Sequence, residues 1–140
     1  MISVEKVSTD NQKKDIFTIR EQVFVIEQNV PKEEEYDEYE DTSTHYIAYY
    51  ENKPVGTARW RFTKKGIKLE RFAVLAEYRD KKIGRAILEN ILEEVLPLKA
   101  NKELYLHAQV QALGFYEKFG FHKEGETFQE CDIWHYKMKI

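Results

Sequence analysis

Arg79-Asp80-Lys81-Lys82-Ile83-Gly84-Arg85-Ala86 joins the strand-like Leu69–Leu75 to a helical run from Lys82 to Leu96. A strand that turns directly into a helix at a basic, glycine-containing loop presents backbone N–H groups at a helix N-terminus. The helix dipole and the neighbouring cations then favour a phosphate there. This stretch predicts a phosphate-bearing ligand, and its strand–loop–helix form points to an α/β domain.

The surroundings agree with one such domain. The chain has 140 residues, three scattered prolines and no repeat or low-complexity linker, so residues 1–140 read as a single domain with a core of its own. A net charge of −3 argues against a general nucleic-acid binder, whose footprint is basic. Charge is instead polarised: 32–41 holds seven carboxylates and one lysine, and 79–85 holds four cations and one carboxylate. The acidic run reads either as a solvated loop or as a lure for a cationic amine. The one cysteine, Cys131, allows neither an internal disulfide nor a metal-ligand set. There is no signal-like apolar core and no apolar run near the ~20 residues needed to span a bilayer. We expect a cytoplasmic protein without membrane or nucleic-acid partners.

Periodicity supplies the order of elements. Ile2–Val7 alternates and predicts an edge strand, and Asp10 is placed to cap a helix bearing Ile16, Ile19, Arg20 and Val23. His45–Tyr50 and Val55–Phe62 form a predicted hairpin around Glu51-Asn52-Lys53-Pro54, followed by the strand Ile67–Leu75. Pro97 ends the long helix in this reading. Glu103–Val110 alternates again, a helix is expected over 111–119 with Gly120 at its end, and Ile133–Ile140 is a last strand. Hairpins in the first half and a β-α-β crossover in the second imply a mixed, mostly antiparallel central sheet with helices on both faces. Exposed edge strands leave room for a homodimer.

Neither a P-loop nor a dinucleotide fingerprint is present, since only Gly84 is available in the loop. Arg79, Gly84 and Ala86 instead resemble the acyl-CoA loop R/Q-x-x-G-x-G/A of the GNAT N-acyltransferase superfamily, with Lys82 where its first glycine stands. Gln109-x-x-Ala112-x-x-x-Tyr116-x-x-x-Gly120-Phe121 resembles the partner motif N-x-x-A-x-x-x-Y-x-x-x-G-F. Arg20-Glu21-x-Val23-Phe24-Val25-x-Glu27-Gln28, His107-Ala108-Gln109 and Phe128-x-x-x-x-Ile133-x-His135-x-x-Met138 resemble the ElaA-like subgroup. The likeness spans almost the whole chain.

This resemblance implies the GNAT fold and acetyl-CoA as co-substrate. It implies that Phe72, Ala73 and Val74 pair through their backbone with the pantetheine arm. The amides of Lys81, Lys82, Ile83, Gly84, Arg85 and Ala86 would hold the pyrophosphate, with Arg79, Lys82 and Arg85 nearby. It also places Gln109 beside the cofactor and Tyr116 near the thioester sulfur.

Acyl transfer to a primary amine needs a deprotonated nucleophile, a donor to the oxyanion and a proton for the thiolate. Tyr116 is the expected general acid and a backbone N–H near Val74 the oxyanion donor; a core aromatic is the other reading of Tyr116. Two bases compete. Glu70 is expected to share a face with Phe72, but can equally form an ion pair with Arg59 or Arg61. His107 has the intrinsic acidity of a base, but can equally be a structural histidine. Glu27, Gln28 and His135 match the subgroup's acceptor side. The alternative function is a non-catalytic acyl-CoA sensor or interaction module.

Overall fold

The computed structural model describes residues 1–140. Fourteen segments follow one another. They are β1 Ile2–Lys6, α1 Asp10–Arg20 continuing as a π-helical segment Glu21–Glu27, α2 Lys32–Glu35, β2 Thr44–Tyr50, β3 Lys53–Phe62, β4 Gly66–Val74, a 3₁₀ turn Ala76–Lys81, α3 Ile83–Lys99, β5 Glu103–Gln109, a 3₁₀ turn Val110–Ala112, α4 Leu113–Glu117, β6 His122–Glu130 and β7 Ile133–Lys139. The strands form one sheet in the order β1-β2-β3-β4-β5-β7-β6, antiparallel everywhere except between β4 and β5. The mixed, mostly antiparallel sheet with helices on both faces is therefore present as the sequence predicts.

Helix α3 covers one face. Its Ile83, Ile87, Leu88, Ile91 and Val95 recur at helical spacing and are fully buried against Ala58, Trp60, Ile67, Leu69, Leu104 and Leu106. The helix comes close to β3 because Gly56 has no side chain: a Cβ there would meet Ile83 Cγ2 at 2.9 Å and Ile87 Cδ1 at 3.0 Å. On the opposite face α1 and its π-helical extension lay Ile19 and Val23 on Ala73.

Several local expectations are corrected. Thr9 rather than Asp10 caps α1: its hydroxyl accepts from Gln12 N while Gln12 Oε1 reaches back to the Thr9 amide, a reciprocal capping box. Helix α3 runs through Pro97 to Lys99. The proline sits in the exposed last turn, where it deprives only the exposed Glu93 of an i+4 donor and water can replace it. The β2–β3 turn needs only Glu51 and Asn52, both left-handed (φ +50° and +66°), so Lys53 and Pro54 already belong to β3. Val110 leaves β5 and is exposed, and the helix expected over 111–119 is a 3₁₀ turn followed by the short α4.

Two features position the site. Thr57 pairs with Ala73 and Arg59 with Glu70, so β4 carries one extra residue, and Arg71 adopts φ +61° at that bulge. The bulge breaks alternation: Glu70 joins the α1 face while Phe72 packs toward the α3 core, and the two do not share a face. Secondly, β4 and β5 pair only from Gly66↔Glu103 to Leu69↔Leu106. Beyond that point the strands part, and the β5-facing edge of 70–74 is left unpaired.

Candidate active site

The gap between β4 and β5 opens into a cleft of 610 Å³ whose wall includes Phe72, His107, Gln109, Tyr116, Glu130 and His135. Next to the end of β4 lies the N-terminus of α3, where a Cβ on Gly84 would fall 4.0 Å from Val74 Cγ2. No side chain caps it and no acidic residue occupies its first turn, so its leading amides have neither an intrahelical acceptor nor a competing anion. Lys82 takes φ +63° as the residue preceding the helix. Glycine reaches that left-handed conformation without strain, which is the physical reason a glycine suits the position and a lysine bears a cost there. Lys82 and Arg85 are exposed, with Arg85 bound to Glu89 at 3.3 Å, while Lys81 turns to the ring of Tyr50. Ile83 is buried, and Gly84 packs under Phe115. A basic helix start beside a free strand edge is a fit for a diphosphate with an extended tether.

Arg79 is placed differently from expectation. Its Nε donates to Val74 O at 2.9 Å and its two terminal nitrogens donate to the carboxylate of Glu27, at 2.5 and 2.7 Å. Glu27, expected on the acceptor side, thus sits beside the cofactor loop, where the arginine holds its carboxyl below the usual range. The π-helical segment ends there and also delivers Gln28, whose Oε1 accepts from Gln109 Nε2 at 3.0 Å. Both residues match a motif read for the acceptor, and both instead bridge to residues read for the cofactor.

Tyr116 projects from α4 against Phe72, ring centroids 5.7 Å apart in an edge-to-face arrangement. It is 8 % exposed, its hydroxyl takes no partner from the chain, and burial raises its pKa, so the phenol stays protonated at neutral pH. Ala73 is buried on the α1 side, and Val74 ends the strand.

Glu70 does not behave as a base. Its carboxylate receives Arg59 Nη2 at 2.8 Å, Arg61 Nε at 2.7 Å and Lys68 Nζ at 3.0 Å. Burial alone would raise its pKa, but these cations prevail and hold it at about 2. A carboxylate that acidic has almost no proton affinity at neutral pH, so the ion pair weighed for Glu70 is what the fold contains. The acidic stretch is a solvated loop only in part. Glu35 binds the fully buried Arg20 at 2.7 Å, and Asp37 and Glu40 bind the fully buried Arg59 at 2.7 and 2.9 Å. Arg71 adds bonds to Glu35 O and Asp37. Buried charges need such partners, and Glu35, Asp37 and Glu40 supply them, while Glu33, Glu34, Glu38 and Asp41 stay exposed.

His107 and His135 do enter the cleft. His107 Nδ1 lies 3.0 Å from Glu130 Oε2, with its ring edge-on to Phe128. His135 Nδ1 donates to Ile133 O at 2.7 Å, and its ring stacks on Phe128. Glu130 escaped sequence reasoning. Its only signal is the β6–β7 register, in which Phe128 faces His135 across a turn through left-handed Cys131 and Asp132.

The family model of the acetyltransferase (GNAT) domain matches residues 5–140. An uncharacterized N-acetyltransferase of Bacillus subtilis, YjcF, is 42% identical over 130 residues, covering 92% of each chain. Escherichia coli protein ElaA is 30% identical over 129 residues, covering 88% of this chain and 83% of its own. The crystal structure of Escherichia coli ElaA superposes with a TM-score of 0.84 over the full length of both chains at 23% identity. Arabidopsis thaliana Naa50, in complex with a bisubstrate analogue containing CoA, superposes with a TM-score of 0.72, covering 99% of this chain and 98% of that one at 25% identity. No helix here is long and apolar enough to cross a membrane.

Proposed function

The chain belongs to the GNAT acetyltransferase family, ElaA-like, and from that premise we propose that it moves an acetyl group from acetyl-CoA to a primary amine by direct attack. The observation that carries this reading is the slot itself. An unpaired β4 edge over 70–74 leads from an uncapped, basic helix start toward a protonated phenol, with two histidines on the facing wall.

In this reading the amides opening α3 and the side chains of Lys82 and Arg85 hold the pyrophosphate. The backbone of Phe72, Ala73 and Val74 pairs with the pantetheine arm as an added strand would. Acetyl-CoA supplies the thioester. Tyr116 gives its proton to the departing sulfur, and a backbone N–H near Val74 donates to the carbonyl oxygen. The base is His107: its Nε2 takes the proton that the attacking nitrogen loses as the C–N bond forms and the C–S bond breaks. Gln28 and His135 border the acceptor's path, and Gln109, bonded to Gln28, stands beside the cofactor.

The test is thiol release from acetyl-CoA against polyamines, aminoglycosides, amino acids and lysine peptides. In the variant Tyr116→Phe, kcat should fall roughly 10²-fold while coenzyme A affinity stays within about threefold. Turnover with no amine, alongside intact coenzyme A binding, would favour a sensor instead.

A further inference from the structure

We propose that Glu130 is a positioning residue, which holds His107 as its Nδ1–H tautomer and so aims the proton-free Nε2 at the acceptor nitrogen. The proposal rests on the acyl-transfer reading above and names the device that readies its base.

The chemistry follows from donor and acceptor roles. A carboxylate only accepts, so the 3.0 Å contact between Glu130 Oε2 and His107 Nδ1 requires the hydrogen on Nδ1. In the neutral ring the lone pair then lies on Nε2, at the far side from Glu130. When Nε2 takes the amine's proton, the ring becomes a cation, and the carboxylate already in contact balances it. Nδ1 keeps its hydrogen throughout, so the step needs no second transfer.

Three strands build the cluster. His107 lies on β5, Glu130 ends β6, and His135 on β7 places Nε2 3.8 Å from the other oxygen of Glu130. Phe128 lies between the two imidazoles, with centroids 4.9 Å from His107 and 5.9 Å from His135, and fixes both ring planes. Competing charges are drawn elsewhere. Lys137, the cross-strand partner of His107, gives its ammonium to Glu103 and Glu124 at 3.1 and 3.0 Å, and Lys68 gives its own to Glu70. Tyr105, on the same strand, bonds to Thr63 through its hydroxyl. Glu130 is thus the single carboxylate in contact with His107. Its side chain is 45 % exposed on an edge strand, where an ion pair adds little to folding, so variants should fold.

The experiment reads the tautomer directly. Two-bond ¹H–¹⁵N correlation spectra of the full chain, with His107 assigned by the variant His107→Gln, should show Nδ1–H in the wild type. In Glu130→Ala the signature should shift toward Nε2–H. With acetyl-CoA and the best amine of the panel, kcat should drop at least tenfold, toward the roughly 10²-fold that losing a general base costs. KM for acetyl-CoA should stay within about threefold, and Glu130→Asp should recover part of kcat. A wild-type ring protonated on Nε2, or a Glu130→Ala enzyme with kcat within about twofold, overturns the proposal. Absence of thiol release from the wild type overturns the acyl-transfer reading by itself, since the spectra report on Glu130 without turnover.

Discussion

Replacing Glu70 by glutamine tests the assignment of this carboxylate to structure rather than catalysis. Glutamine is the isostere of the protonated acid, so the variant shows at every pH what the wild type becomes only in strong acid. Lowering the carboxyl from its ordinary 4.5 to about 2 corresponds to ~3 kcal/mol of stability at neutral pH. The sign follows from the depressed value: the contribution is complete above the unfolded pKa and is lost as pH falls through the folded one. Linkage keeps nearly all of it at pH 5 and leaves ~2 kcal/mol near pH 3.5. Urea unfolding followed by the fluorescence of Trp60 and Trp134, run at these pH values, should therefore show a gap between wild type and Glu70→Gln that narrows on acidification. A gap below about 1 kcal/mol at pH 7, or one that widens in acid, refutes the reasoning. Turnover provides an independent check. Folded Glu70→Gln should stay within about tenfold of wild type, whereas a loss of roughly 10³-fold would return Glu70 to the role of base.

Two further substitutions address the backbone. Gly66→Ala places a Cβ 2.0 Å from the carbonyl oxygen of Glu103, at φ +154°. Neither strand can yield without breaking the parallel pairing, so a loss above about 2 kcal/mol or failure to accumulate folded protein is expected; a melting temperature within a few degrees of wild type would contradict the register. Lys82→Val puts a β-branched residue at φ +63° and should destabilise by roughly 1–2 kcal/mol in urea, whereas Lys82→Gly should be near neutral, strain relief offsetting the entropy of glycine.

Regular patterns made the frame legible. The alternation of Leu104, Leu106 and Ala108 located β5, and the spacing of Ile83, Ile87 and Ile91 located α3. The residues proposed for the cofactor are visible in the sequence because one loop, 79–86, carries most of them. The acceptor side is not, because its residues meet only through tertiary register. Glu130 reaches His107 across two strand pairings, and Glu35, Asp37 and Glu40 find Arg20 and Arg59 from a segment whose composition resembles a solvated loop. Glu70 was misassigned to the face of Phe72 because strict alternation cannot foresee an arginine in left-handed conformation at residue 71. Arg79 and Glu27, 52 positions apart, bind each other, a pairing that neither motif foreshadows.

The early end of the β4–β5 ladder sets limits on what this domain can become. Four residue pairs join its two half-sheets, and past Leu69 the amides and carbonyls of β4 face a gap where a neighbouring strand would otherwise zip on. The kink at Arg71, pinned by Glu35 and Asp37, is the wedge that resists such zipping. A substitution that straightened it would lengthen the ladder and toughen the fold while sealing the cleft. Variants selected for heat resistance alone should drift toward that sealed form, and hydrogen exchange at 70–74 would register the drift before any loss of structure elsewhere.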